Sequence, residues 1–248
     1  MIILKTKYQV SSIRKSCRVV AKVLSKISHE AKAGVTTRHL DKLAEDLCYS
    51  LGAVPGFKGY KGFPYTICAS KNSTVVHGFP DDEPLKEGDL LSVDFGAVIN
   101  GWYGDAAITL GIGVQPYINE KLLGVGAECL LMGIAKIVPH GRLGDVSHAI
   151  QHHTESNGFN VVKNFVGHGV GRDLHELPQI PNFGKPRTGL ILKPGMVLAI
   201  EPMITEGSSD TETLSDGWTT VTKDKKMAVH FEHTVVVTKE GVEVLTGM

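Results

Sequence analysis

The chain has 248 residues, 42% of them hydrophobic and 21% charged, with 26 Lys+Arg against 26 Asp+Glu. That length supports one large core or two fused halves. A formal net charge of zero removes the electrostatic reason to expect nucleic acid or an anionic membrane as ligand.

The opening MIILKTKYQV has too short an apolar run for a secretory signal, and no window approaches the eighteen apolar residues a bilayer span requires. Ile13, Cys17, Val20, Leu24 and Ile27 recur at spacings of four and three, which predicts a first amphipathic helix. A second is expected from Thr36, with Leu40, Leu43, Leu47 and Leu51 on one face, stopping at Gly52. Strand patterns follow in YTIC (65–68), VVH (75–77) and LLSVDFGAVI (90–99). Asn100-Gly101 is a hairpin turn signal, from which the chain returns as WYGDAAITL.

The second half repeats this order. Helices are expected over about 116–138 and 143–157, then a strand in NVVKNFV. LKEGDLLSVD (85–94) aligns without gaps on LKPGMVLAIE (192–201) at an offset of 107 residues, and Gly34 meets Gly141 under it. Two halves of helix–helix–strands suggest a duplicated α+β unit about a pseudo-two-fold axis. The four cysteines, at 17, 48, 68 and 129, have no CxxC spacing and read as free thiols of a reducing cytosol.

Both aligned segments end in a carboxylate, Asp94 and Glu201. If Asn100-Gly101 makes a two-residue turn with no bulge, Gly96 pairs with Asp105. Asp94 and Asp105 then lie diagonally on one face, roughly 7–8 Å apart. In VHFEHTVVV, Glu232 shares a face with His230 and Thr234. One acid on a strand is ordinarily a surface group. Two matched pairs in apolar, β-rich runs need compensating positive charge and point to a shared metal site. Carboxylates plus an imidazole, with no thiolate, are hard donors suited to two divalent ions with bridging acids.

His168, on a glycine-rich stretch where backbone can approach closely, is the candidate nitrogen ligand. His175 and His77 read as donors facing the substrate or supporting the ligands. His29, His39, His140, His152 and His153 read as surface groups, and the i,i+4 pair His148/His152 lacks an acid pattern. HELPQ is not HExxH, because Gln179 stands in place of the second histidine, and no GxSxG or phosphate-loop motif occurs.

The five residues Asp94, Asp105, His168, Glu201 and Glu232 sit in VDFGAVINGWYGD, GHGVGRDLHELPQIPNF, MVLAIEPM and FEHTVVV, which with VHGFPDD and DGW occur in order along essentially the whole chain. In these the chain resembles the type I methionine aminopeptidases, and the lack of a long N-terminal extension looks like their compact bacterial type. The resemblance implies the pita-bread fold, a single catalytic domain of two halves (about 1–112 and 113–248) that together form one curved antiparallel sheet with two helices each. It implies a hydrolase that removes initiator methionine from nascent proteins with a small second residue, through a metal-bound water or hydroxide. Asp94 would bind one ion, Asp105 and Glu232 would bridge, and His168 and Glu201 would complete the second site. Glu201 would also shuttle protons, His175 would donate to the oxyanion, and His77 would contact the scissile amide. Tyr60, Phe63, Cys68, Trp218 and Leu174 would form the methionine pocket. Leu174, Phe63 and Phe57 depart from the residues common in the family, which touches the pocket's shape.

Manganese, iron(II) or cobalt would serve as the ions, and zinc also accepts the ligand set. Work on nascent chains leads us to expect docking at the ribosome; the free thiols point to the cytoplasm, hydropathy and charge to no membrane or specific nucleic-acid ligand, and, with nothing pointing to an obligate oligomer, a monomer is expected. Three rivals remain open at this point. A proline-directed peptidase of the same fold is disfavoured by the missing N-terminal domain. A non-catalytic peptide-binding module is disfavoured by the filled ligand positions. A metal-binding protein without hydrolysis would not need His77 and His175.

Overall fold

Thr6 and Gln9 start the first helix. The threonine hydroxyl accepts from the Gln9 amide at 3.3 Å and the Gln9 side chain accepts from the Thr6 amide at 2.9 Å, a capping box that satisfies two otherwise orphaned donors. The structure, a computed structural model, describes residues 2–247. Helix α1 spans Lys7–Glu30 and buries all five residues of the expected face, none more than 2% exposed. Helix α2, Thr37–Ser50, is capped by Thr36. Its deepest face differs from the expected leucine stripe. Leu40, Ala44 and Cys48 are fully buried, while Leu43, Leu47 and Leu51 are half-buried flanks. Leu40, Ala44 and Cys48 form the buried line, and Leu43, Leu47 and Leu51 pack against the same cluster from its edge.

Strands β1 (Val54–Pro55), β2 (Cys68–Lys71), β3 (Thr74–Val76), β4 (Leu90–Ile99) and β5 (Trp102–Gly111) complete the first half. YTIC is mostly not strand; β2 begins only at its last residue. The β4–β5 hairpin matches the expected register, with Gly96 opposite Asp105 throughout an unbulged ladder. Asn100 and Gly101 both adopt positive φ (51° and 73°), the conformation a two-residue hairpin turn of matching twist requires.

Helices α3 (Tyr117–Ile134) and α4 (Leu143–Ser156) follow, α3 ending four residues short of expectation. Then come β6 (Asn160–Val161), β7 (Val166–Gly169), β8 (Glu176–Pro181), β9 (Val197–Ile200), β10 (Met203–Thr205), β11 (Thr211–Thr213), β12 (Thr220–Thr222), β13 (Ala228–His230), β14 (Glu232–Val237) and β15 (Val242–Val244). Two expected continuous strands are broken. NVVKNFV divides between β6 and the start of β7, and VHFEHTVVV divides at Phe231, where the chain passes from a three-stranded sheet to the main one.

The main sheet has nine strands along the path β1-β4-β5-β14-β9-β7-β8, with β2 on β4 and β15 on β14. The seam between halves is β5·β14, where Glu232 faces Ala107. The donors Leu85 and Leu192, and Gly88 and Gly195, are aligned by the internal repeat, and each makes a backbone hydrogen bond, although the repeat does not align their acceptors. Leu85 donates to Val35 and Leu192 to Gly141, while Gly88 donates to Ile112 and Gly195 to Val237. Gly88 and its counterpart Gly195 share positive φ, 87° and 93°.

One face of the sheet packs against helices. Leu91, Val93 and Phe95 join Val20, Leu24 and Leu40 in one cluster. Leu198, Ile200 and Val235 join Leu122, Cys129 and Ile150 in another. Each such fully buried side chain contributes about 1.5–3 kcal/mol. Side chains alternate across a strand, so burying these on the helical face turns Asp94, Asp105 and Glu201 to the other. This is the α+β arrangement expected from sequence. Among the described residues no helix is long and apolar enough to cross a membrane, and all four cysteines are free and buried.

Candidate metal centre and its cavity

The hairpin supplies the first two carboxylates. Asp94 and Asp105 sit diagonally on one face, opposite Ala107 and Gly96, and the Phe57 ring lies over Gly96. Asp105 is pinned from the other half. The Thr234 hydroxyl donates to its carbonyl at 2.7 Å and accepts from its amide at 3.2 Å.

The second half supplies the others where its strands stop. Pro202 has no N–H to continue a ladder, so β9 ends and Glu201 stands at the break. Phe231, whose amide donates to the Pro202 carbonyl at 3.2 Å, marks the matching break before Glu232. Hydroxyls bridge the gap: Thr109 donates to the His230 carbonyl at 2.7 Å and accepts from its amide at 2.9 Å, and Thr109 shares a hydrogen bond with Ser92 at 2.8 Å.

His168 lies on β7, opposite Ala199. The glycines around it are required sterically. A Cβ on Gly167 would collide with the Ala199 carbonyl oxygen, and one on Gly169 with the Leu177 carbonyl oxygen. His168 Nδ1 donates to the Gly169 carbonyl at 3.0 Å, which leaves Nε2 as the unprotonated nitrogen. That nitrogen is 3.4 Å from Glu201 Oε1 and 3.9 Å from Asp105 Oδ2. Asp105, His168 and Glu232 each offer a ligand atom within 4.8 Å of the others.

Their electrostatics are those of an uncompensated anionic cluster. Burial, with the charge of Asp105 adding to it, drives the Asp94, Glu201 and Glu232 carboxyls well above the usual carboxylate range. Burial raises Asp105 to about 7. Burial lowers His168 to about 4, keeping the imidazole neutral, as a ligand must be. Asp94 Oδ1, Asp105 Oδ1 and Glu232 Oε1 are buried without any hydrogen-bond partner. Unpaired buried carboxylate oxygens are costly. Three aimed at one space, beside a neutral imidazole nitrogen, fit divalent cations with oxygen-rich coordination.

One cavity of about 170 Å³ joins this cluster to an apolar wall. Every residue expected from sequence to hold metal or substrate lines it, as do Phe57 and Lys61. The wall is Phe57, Phe63, Cys68 and Leu174, with Tyr60 and Trp218 at its edge. Cys68 lies directly across from Asp94 in the β2–β4 ladder, and the Phe63 and Trp218 rings meet edge to face at 5.1 Å. His77 leaves β3 with φ of 59°, a left-handed conformation costly for this residue, and is held edge-on to Phe165 and Trp218. His175 stacks on Tyr60 at 5.4 Å, bonds Tyr60 Oη through Nδ1 at 3.0 Å, and brings its ring to 4.2 Å from that of His168. The side chain keeps an exposed edge, yet desolvation of its ring, with the neighbouring His168 adding to it, lowers its pKa to about 3.

Sequence reasoning passed over His230, 2% exposed, with an unpartnered Nε2 that is 3.8 Å from Glu201 Oε2. Its signal was present in the face it shares with Glu232. His148 and His152 lie in a separate groove on α4, with ring centroids 5.7 Å apart.

Residues 11–239 match the model of metallopeptidase family M24. The chain is 47% identical over 246 residues to methionine aminopeptidase 1 of Bacillus subtilis (strain 168), covering 99% of each. It is 46% identical to a methionine aminopeptidase of Clostridium perfringens, again covering 99% of each. Its structure superposes on the crystal structure of methionine aminopeptidase from Thermotoga maritima with a TM-score of 0.98 at 46% identity, covering both chains completely.

Proposed function

The chain belongs to metallopeptidase family M24, and from that premise we propose that it is a methionine aminopeptidase, removing initiator methionine from new chains with a small second residue. It has the pita-bread fold of that family and binds divalent metal ions. The observation that carries the reading is the junction of two unlike walls in one cavity: a cluster of buried, partly unpartnered carboxylates and His168 beside an apolar pocket. The first suits metal-assisted hydrolysis, and the second a thioether side chain.

In this reading Asp94, Asp105, His168, Glu201 and Glu232 would hold two divalent ions. When bound, such ions lower the pKa of a water and polarise the scissile carbonyl. The protein's own groups do the rest. Glu201, at the edge of the cluster nearest His168 and His230, takes the proton of the attacking water and passes it to the leaving amine. Tyr60 Oη, donating to His175 Nδ1, leaves the proton of the neutral imidazole on Nε2, where it donates to the developing oxyanion. His77 is fixed between Phe165 and Trp218 to meet the scissile amide. Phe63, Cys68, Trp218 and Leu174 enclose the methionine side chain, where aromatics and a soft thiol favour sulfur. Manganese, iron(II) and cobalt suit the ligand set, with zinc a further option. In this reading the enzyme works on nascent chains in the cytoplasm, docks at the ribosome and acts as a monomer.

The test is release of free methionine by chelated protein resupplied with each metal, using Met-Ala-Ser, Met-Lys-Ser, Ala-Ala-Ser and Ala-Pro-Ser. Metal-dependent cleavage confined to Met-Ala-Ser is expected. Cleavage of Ala-Pro-Ser instead would move the activity to a proline-directed peptidase, and no release from any peptide would overturn the enzymatic reading.

A further inference from the structure

Glu176 directly follows His175 and opens β8, so in an extended chain their side chains point to opposite sides. His175 turns to the cavity and Glu176 into the body of the protein. There the Glu176 carboxylate closes the loop that carries His175. Oε1 accepts from the Arg172 amide at 2.8 Å and from the Asp173 amide at 3.5 Å, while Oε2 pairs with the ammonium of Lys5. Both side chains are almost fully enclosed, 3% and 8% exposed. Nothing about an exposed loop demands a buried ion pair; burying one costs desolvation that only good geometry offsets.

Both ends of this brace are anchored. Lys5 comes from the segment before α1 and is fixed by its own amide, which donates to the Gly195 carbonyl at 2.7 Å, just ahead of β9. Across the loop, the Gly171 carbonyl accepts from the Tyr103 amide of β5 at 2.9 Å. Arg172 stacks on Trp102 at 4.1 Å and donates to the Asn100 carbonyl at 2.8 Å, in the β4–β5 turn. Gly171 has no room for a side chain, because a Cβ there would collide with Glu176 Oε1 and meet Lys5 Cε at 2.7 Å. The loop is thus tied to both halves of the sheet, and the Lys5–Glu176 pair is its innermost tie.

We propose that Lys5, through its buried ion pair with Glu176, is a positioning residue that holds His175 in register with the metal cluster. This rests on the reading of His175 as the oxyanion donor. Removing Lys5 leaves the Glu176 carboxylate without its cation and frees the loop to shift, and a displacement near 1 Å at a catalytic group costs on the order of a hundredfold in rate. The effect falls on kcat rather than KM, because His175 acts on charge that develops only in the transition state.

The experiment is a double-mutant cycle on methionine release from Met-Ala-Ser by the full, metal-loaded enzyme. It uses Lys5→Met, Glu176→Gln, Lys5→Arg and His175→Ala, singly and with each brace variant placed on His175→Ala. Thermal melts accompany each protein, and rates are taken well below the lowest melting temperature. Lys5→Met is expected to lower kcat about ten- to a hundredfold with KM changed less than threefold. Lys5→Arg should recover most of the loss, and neither Lys5→Met nor Glu176→Gln should lower kcat further on His175→Ala. Glu176→Gln keeps the acceptor for the Arg172 amide, so it tests the charge pair even where Lys5→Met folds poorly. Wild-type kcat in both brace variants would overturn the proposal. So would the same fold-loss with and without His175, which marks a purely structural role. Failure of the wild type itself to release methionine would instead defeat the functional reading beneath it.

Discussion

Asp94 stands inside an unbroken ten-residue strand, whereas Glu201 stands where a four-residue strand has just ended, although the segments leading to them align residue for residue. The first half delivers its two acids by one regular hairpin. The second delivers Glu201 and Glu232 from two breaks, at Pro202 and Phe231, with the Thr109 hydroxyl reaching from across the seam to the His230 backbone beside the second. The breaks make room for what the first half lacks. Ala199 corresponds to Ser92 under the repeat. The partner of Ser92 on its outer strand is Ser70, whereas that of Ala199 is His168. The hairpin half forms the floor and carries His77 beside it, and the interrupted half brings in His168, His175 and His230. A duplicated frame can therefore carry an undivided task unequally.

The largest effect that would break this comparison concerns the acids shared across the seam. Asp105→Asn and Glu232→Gln should each lower methionine release roughly a thousandfold or more, since electrostatic stabilisation of several kcal/mol is at stake. A steady-state assay showing one of them near wild type would mean that a single half holds the centre. Next come the glycines. Gly167→Ala drives a Cβ into the Ala199 carbonyl oxygen, whereas Gly96→Ala presses on the Phe57 ring, with Cε1 2.6 Å from the added carbon. Overpacking against backbone should cost about 3 kcal/mol and against a side chain about 1 kcal/mol. At about 2–4 °C per kcal/mol, melting temperatures should separate the two; equal shifts would remove the distinction between a tightly threaded half and an adaptable one.

A smaller signature is the pH dependence of metal stabilisation. The four cluster carboxyls have folded-state values raised above their ordinary ones, Asp105 to about 7. Their protonated forms therefore stabilise the metal-free protein at low pH, and that contribution is lost as pH rises through the raised values. Cations replace the protons, so the rise in melting temperature on adding manganese should be greater at pH 8 than at pH 6. A hundredfold excess over Kd contributes about 2.7 kcal/mol, or roughly 5–10 °C at this size. An increment independent of pH would contradict the buried anionic cluster. The smallest effect belongs to the first-half wall of the pocket. Cys68→Ala should raise KM for Met-Ala-Ser about threefold with kcat nearly unchanged, whereas a fall in kcat would assign Cys68 to the reacting centre.

The hairpin was legible in full because everything that fixes it is local: alternating side chains, Asn100-Gly101, and small residues opposite the acids. The internal repeat was legible through LKEGDLLSVD and LKPGMVLAIE. What sequence concealed arises from long-range contact. Nothing local marks Phe231 as a break, because the cause is its amide meeting the Pro202 carbonyl, twenty-nine positions earlier in the chain. On α2 the leucine stripe was visible, but which edge of it lies deepest depends on how closely the helix approaches the sheet. His230 was visible only as a neighbour of Glu232 on one face, because its approach to Glu201, 3.8 Å away, joins residues twenty-nine positions apart in the chain.

The most direct test of the account is a titration of chelated protein with manganese, following methionine release and bound metal together, in wild type, Asp105→Asn and Glu232→Gln. The account predicts no release without metal, activity that rises as metal binds to the wild type, and loss of both activity and tight binding in either variant. Release by the fully chelated protein, or undiminished release by either variant, would contradict it.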